Sequence, residues 1–154
     1  MREKAEMARK SGEILLVDDS IDDVELAVAV LSNYWPSEKI TVVHDGAEAA
    51  DYLYQRGEYA ERGPGHPVLI LLDIKMPKVD GLELLRVLKG DEILKVIPVV
   101  MLTSSREECD VRDSYRLGSN AYVVKPLVFA EFQDTLKKLG AFWLGANEMA
   151  APGV

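Results

Sequence analysis

Five short apolar runs punctuate the chain: Ile14-Leu15-Leu16-Val17, Ile40-Thr41-Val42-Val43, Val68-Leu69-Ile70-Leu71-Leu72, Pro98-Val99-Val100-Met101-Leu102 and Ala121-Tyr122-Val123-Val124. Continuous rather than alternating hydrophobicity predicts strands covered on both faces, as in a parallel sheet between helix layers. Helical spacing fills the intervals. Asp22 to Asn33 places Val24, Ala27, Val28 and Leu31 on one face, and Gly46 to Arg56 does the same with Ala49, Ala50 and Leu53. Leu82 to Lys89 offers Leu82, Leu85 and Leu88; Arg106 to Leu117 is the most polar segment; from Val128 onward Phe132, Leu136, Leu139 and Trp143 recur. Strand and helix alternate throughout. A doubly wound α/β sheet with helices on both faces is therefore expected, because right-handed crossovers between parallel strands require those helices.

The expected domain runs from 13 to 147 and includes a C-terminal helix extension, with an N-terminal arm over 1–12 and a flexible tail over 148–154. The loop Gln55 to Pro67, with Gly57, Gly63, Pro64, Gly65 and Pro67, is longer than usual before a strand, and an interaction surface is expected there. A chain of 154 residues with 48% hydrophobic side chains suits one domain and needs no disulfide or metal staple, in keeping with the one cysteine, Cys109. The balance of 18 basic to 26 acidic side chains, net −8, argues against nucleic acid and anionic membrane partners. No apolar run is long enough to span a bilayer, and Met1 to Gly12 is too charged for a signal peptide. A cytoplasmic protein is the expectation.

In an open α/β sheet ligands bind beyond the carboxyl ends of the strands. The first run ends in Asp18-Asp19, the third in Asp73, the fourth in Thr103-Ser104 and the fifth in Lys125-Pro126. An acidic strand end alone is often only a helix cap, and Ser20 or Asp22 could cap the following helix. Acidic, hydroxyl and ammonium groups converging from four strands point instead to a site. Three crowded carboxylates repel and call for a hard divalent ion with oxygen ligands, Mg²⁺. His44 and His66 lie apart in the chain and offer no zinc or copper cluster. A lysine adds nothing for a metal but suits a second anion. A phosphoryl group arriving on one carboxylate would cancel that carboxylate's charge and face both cation and ammonium.

These residues, with Met76-Pro77-Lys78-Val79-Asp80-Gly81 after Asp73, closely resemble bacterial response-regulator receiver domains from about Ile14 to Leu139. The resemblance implies the strand order 2-1-3-4-5 and Asp73 as acceptor of a phosphoryl group from a phosphohistidine on a sensor kinase. It further implies Mg²⁺ on Asp19, Asp73 and the backbone carbonyl of Lys75, with Asp18 helping through water, and Lys125 on a phosphoryl oxygen, aimed by a cis peptide before Pro126. Thr103 would donate to the phosphoryl group as its loop closes, and Tyr122 would be the aromatic that turns inward with it. Lys75 and Ser105 occupy positions that vary in the family and are expected to act on hydrolysis of the acyl phosphate. Nothing beyond the fifth helix would hold a DNA-binding output domain, so output is expected through protein contact or phosphate relay.

A narrower resemblance is carried by Gly65-His66-Pro67-Val68, Leu72 to Lys78, Tyr115, Asn120-Ala121-Tyr122 and Phe142-Trp143, and it points to regulators that partner bacterial phytochrome kinases. Two other readings stay open. A phosphatase with an aspartyl nucleophile expects a second aspartate where Lys75 stands, and a pseudo-receiver would keep the fold without being phosphorylated. A dinucleotide binder lacks its Gly-x-Gly-x-x-Gly after the first strand. Finally, Phe142 and Trp143 are neighbours, and a helix cannot turn both to one core. One of them, with Leu144, is expected to be left over as part of a homodimer interface.

Overall fold

A computed structural model describes residues 12–150. The expected arm, Gly12 excepted, and the last four residues of the tail lie outside the described residues. The order of elements is β1 (Ile14–Val17), α1 (Ile21–Leu31), β2 (Ile40–Val43), α2 (Gly46–Leu53), β3 (Leu69–Leu72), α3 (Gly81–Gly90), β4 (Val99–Thr103), α4 (Glu108–Leu117), β5 (Ala121–Val124) and α5 (Phe129–Ala141). The five strands pair in parallel in the order β2-β1-β3-β4-β5. Val17 stands in register with Val43 and Leu72, and Thr103 with Val124. That register brings the chemistry-bearing strand ends to one rim.

The sheet divides the interior in two. Leu15, Val17, Ile70, Leu72, Val99 and Met101 pack toward α2 and α3, meeting Leu53, Leu84, Leu85 and Leu88. Their strand neighbours Leu16, Leu69, Leu71, Val100 and Leu102 face α1 and α5, meeting Leu31, Phe132, Leu136 and Leu139. This two-sided burial is why the central strands read as unbroken apolar runs, since each successive residue points to the opposite face. The edge strands β2 and β5 are only partly buried.

Helix limits follow local chemistry. Ser20 caps α1, its hydroxyl accepting from the Asp23 N–H, while Asp45 and Asp80 cap α2 and α3 by accepting from Glu48 and Glu83. The α2 helix ends at Leu53, short of the expected Arg56, and Gln55 adopts a left-handed φ of 54°. The most polar helix, α4, buries only Ser114 and starts at Glu108 rather than Arg106. The long loop after α2 keeps Arg56, Glu58, Ala60, Glu61 and Pro64 exposed but is anchored to the body of the domain. Arg62 ties it down, stacking on the Tyr52 ring and donating to the carbonyls of Tyr52, Gly63 and Gly65.

The C-terminal extension departs from expectation in one respect. Beyond α5 the chain widens into a π-helical turn over Phe142–Ala146, which rotates Leu144 inward, where it is buried. Leu144 is therefore not left over. Trp143 packs partly against the α1/α5 side of the core, and Phe142 alone stays 53% exposed, edge-on to the Trp143 ring. Gly140, inside α5, lets the helix lie against Tyr34 beyond α1: a Cβ there would meet the Tyr34 ring at 2.6 Å.

Candidate functional site

Each apolar strand ends where its first polar residue meets the rim, and four such ends converge. Asp18 follows β1, Asp73 follows β3, Thr103 ends β4 and Lys125 follows β5; all four are buried, whereas Asp19 is exposed. The Lys125 ammonium donates to Asp18 Oδ2 at 2.6 Å, Asp23 Oδ2 at 2.9 Å and Asp73 Oδ2 at 3.3 Å. The other oxygen of each buried aspartate is also occupied. Asp18 Oδ1 accepts from the Ser20 N–H at 2.9 Å, and Asp73 Oδ1 from the Ile74 N–H at 2.8 Å. Oxygens of Asp18, Asp19 and Asp73 lie within 4.8 Å of one another.

Electrostatics follow from this crowding. Burial pushes the Asp18 carboxyl above the usual aspartate value, only partly offset by the hydrogen bond from Lys125. Burial also works against the Lys125 ammonium. There the hydrogen bond and charge of Asp18, then Asp73 and Asp23, win and hold the group well above an ordinary lysine. Counting Asp18, Asp19, Asp23 and Asp73 against Lys125 leaves three formal negative charges at one rim. With both Asp18 oxygens already bonded, Asp19 is the carboxylate free to reach outward. Such an all-oxygen, electron-rich donor set fits a hard divalent cation and not a thiophilic one.

The loop after Asp73 is shaped by Gly81. A Cβ at this position would sit 2.0 Å from the Asp73 carbonyl oxygen, so only glycine lets α3 start directly against the Asp73 backbone. The Gly81 N–H closes the loop on the Ile74 carbonyl at 2.7 Å. Across the rim, Tyr122 donates its hydroxyl proton to the Ser105 carbonyl at 2.9 Å. Ser105 in turn donates to Asp110 Oδ2 at 2.5 Å, and its N–H reaches Thr103 Oγ1 at 3.4 Å. The half-buried Tyr122 ring packs against the α2/α3 side of the core, and its hydroxyl is joined to the loop that carries Thr103.

The structure brings together the expected Asp18, Asp19, Asp73 and Lys125, with Thr103 at the same rim. Lys75 is exposed in the loop beyond Asp73. One expectation is overturned: the described residues contain no cis peptide, so the Lys125–Pro126 bond is trans. The lysine is aimed without it, because three carboxylates surround its ammonium. Asp23 is the site residue the sequence reading missed. It lies in the first turn of α1, where an acidic residue is ordinarily read as part of the helix N-terminus and gives no separate signal of a site.

Comparison with known proteins bears directly on this arrangement. The family model described as the response regulator receiver domain matches residues 14–137. The chain belongs to the response regulator receiver family. Among curated relatives, response regulator Rcp1 of Synechocystis sp. is 41% identical over 85% of this chain and 88% of its own. The probable methanogenesis regulatory protein FilR2 of Methanothrix harundinacea is 36% identical over 90% of this chain and 88% of its own. Among solved structures, the phosphorylated cyanobacterial phytochrome response regulator RcpA superposes with a TM-score of 0.84 at 38% identity, covering 91% of this chain and 99% of that one. The Mn²⁺-bound form of Rcp1 gives 0.83 at 39%, with 91% and 99% covered. The bacteriophytochrome response regulator RtBRR gives 0.70 at 50%, with 86% and 80% covered. This receiver is thus homologous to phytochrome response regulators, and its sheet order is that of the family.

Proposed function

We propose that this receiver is the phosphoacceptor of a two-component relay. Asp73 takes a phosphoryl group from a phosphohistidine on a sensor histidine kinase of the phytochrome type. The observation that carries the reading is the Lys125 ammonium bonded at once to Asp18 and Asp73, carboxylates from two different strand ends. An Asp73 oxygen attacks phosphorus as the P–N bond of the phosphohistidine breaks, and the imidazole leaves with the bonding pair. Esterified, Asp73 no longer bears charge, and Lys125 turns to the incoming phosphoryl oxygens. Asp19, Asp73 and the Lys75 carbonyl would hold Mg²⁺, with Asp18 engaged through water. The ion supplies charge stabilisation for the transferring group. Thr103 donates to a phosphoryl oxygen, and its hydrogen-bonded loop carries the change to Tyr122.

The surroundings suit a macromolecular donor. A cleft of about 620 Å³ opens beside Lys125, lined by Leu26, Pro126, Leu127 and Phe129 among others. Leu127 is 97% exposed, and Ile21, Val128 and Phe129 are also exposed. Apolar side chains gathered next to a charged acceptor fit the docking of a protein that delivers the phosphoryl group. The phytochrome assignment is supported by the likeness to RcpA and RtBRR, whose descriptions name that system. No helix among the described residues is long and apolar enough to cross a membrane, which accords with a cytoplasmic signalling protein. Turnover is limited to self-phosphorylation from small donors and autodephosphorylation, and neither nucleic acid nor membrane is a partner. Phe142, exposed and braced by Trp143, supports a homodimer through the C-terminal extension.

Incubation with a small phosphodonor and Mg²⁺, followed by intact-mass and peptide analysis, tests the reading. A single phosphoryl adduct on Asp73, lost in Asp73→Asn, is expected. Turnover of phosphate monoesters would indicate the phosphatase instead, and no adduct at all a pseudo-receiver. Transfer from a phosphorylated phytochrome kinase but not from unrelated kinases would assign the partner. Light scattering across a concentration series, for wild type and Phe142→Ala, checks the dimer.

A further inference from the structure

Asp23 has no part in the site as expected from the sequence, yet it holds one of the three Lys125 contacts. The Lys125 ammonium has three N–H donors, and the three carboxylates consume them all: Asp18 at 2.6 Å, Asp23 at 2.9 Å and Asp73 at 3.3 Å. Binding a phosphoryl oxygen therefore requires that one carboxylate be given up. The Asp73 contact is the longest of the three, and its acceptor loses its charge when the phosphoryl group arrives. Asp18 holds the shortest contact with its side chain 3% exposed, whereas Asp23 reaches in from the first turn of α1 with its side chain 34% exposed. An ammonium fixed at two points can aim its third N–H in only one direction.

We propose that Asp23 is a positioning residue for phosphoryl transfer: together with Asp18 it clamps the Lys125 ammonium so that its third N–H points at Asp73 and passes to the incoming phosphoryl oxygen. This rests on Asp73 being the phosphoacceptor. Asp23 lines the cleft beside Lys125, and its role in the transfer is exerted through its bond to the Lys125 ammonium. Its own backbone N–H is held by Ser20, so changing the side chain leaves the helix cap in place. Without Asp23, Lys125 keeps the short bond to Asp18 and only the longer 3.3 Å contact to Asp73, and its ammonium can swing about the Asp18 bond. Misdirection of a group at the reacting centre costs roughly tenfold to a hundredfold in rate.

The test measures phosphorylation rate against small-donor concentration at saturating Mg²⁺ for wild type, Asp23→Ala and Asp23→Asn, with thermal melts to confirm folding. A maximal rate reduced roughly tenfold or more in Asp23→Ala, with the half-saturating donor concentration unchanged, is expected. Asp23→Asn, which keeps an acceptor oxygen, should recover part of the loss. In the metal-free protein, exchange of the Lys125 ammonium protons with water, followed by nitrogen-15 NMR, should accelerate in the order wild type, Asp23→Asn, Asp23→Ala. A wild-type rate in Asp23→Ala, or ammonium exchange unaffected by it, overturns the proposal while leaving Asp73 as acceptor. Absence of labelling in the wild type overturns both.

Discussion

Replacing Lys125 by methionine keeps most of the stem's volume but removes the one ammonium among Asp18, Asp23 and Asp73. The change breaks three contacts of 2.6, 2.9 and 3.3 Å and leaves two buried carboxylates facing each other. Breaking a buried ion pair by removing one partner costs about 3–5 kcal/mol. At about 2–4 °C per kcal/mol for a domain of this size, metal-free Lys125→Met should melt roughly 6–20 °C below wild type near pH 7. The loss should depend on pH with a definite sign. Burial already raises the folded Asp18 pKa above its ordinary value of 3.8, and Lys125 is what restrains it. A carboxyl raised in the folded state contributes stability that is present below the unfolded pKa and is lost as pH rises through the folded pKa. Without Lys125 that folded value climbs further, so the variant's deficit should shrink as acid protonates Asp18. Mg²⁺ should also recover more stability in the variant than in wild type, since it replaces missing positive charge. Circular dichroism melts of both proteins, in chelator and in Mg²⁺, from about pH 4 to pH 7, measure all three effects. A metal-free variant that melts with wild type at pH 7 would refute the reasoning.

Gly81→Ala should cost roughly 1–3 kcal/mol in denaturant unfolding and, on the proposed role of Asp73, slow its phosphorylation, because the new Cβ would fall 2.0 Å from the Asp73 carbonyl oxygen and push its backbone. Mg²⁺ at a hundredfold excess over its dissociation constant should stabilise wild type by about 2.7 kcal/mol, and this gain should fade in acid as protons compete for the carboxylates. Tyr52 should titrate at about 12 instead of 10.0, raised first by burial and then by its hydrogen bond to Glu13, as read from tyrosinate absorbance. Its contribution to stability is complete below pH 10 and is lost as pH rises toward 12; Glu13→Gln should move the titration back toward 10.

Much of the receiver was legible in the chain itself. The unbroken apolar character of runs such as Leu69–Leu72 encodes two-sided burial, and the strand–helix alternation encodes parallel pairing, because both arise from local periodicity and short-range chain geometry. Asp18, Asp19, Asp73, Thr103 and Lys125 could be placed at one rim because each directly follows or ends an apolar run, and every strand of a parallel sheet ends on the same side. Tertiary structure decided what periodicity does not encode. It drew Asp23 from α1 onto Lys125 across a sequence separation of 102 residues, turned Leu144 inward through a π-helical turn, and fastened the glycine-rich loop with Arg62. It also aimed Lys125 across a trans peptide, where the resemblance implied a cis one. Each of these depends on the three-dimensional direction of a side chain set by packing against distant elements, and a linear pattern of polar and apolar positions holds no record of that direction.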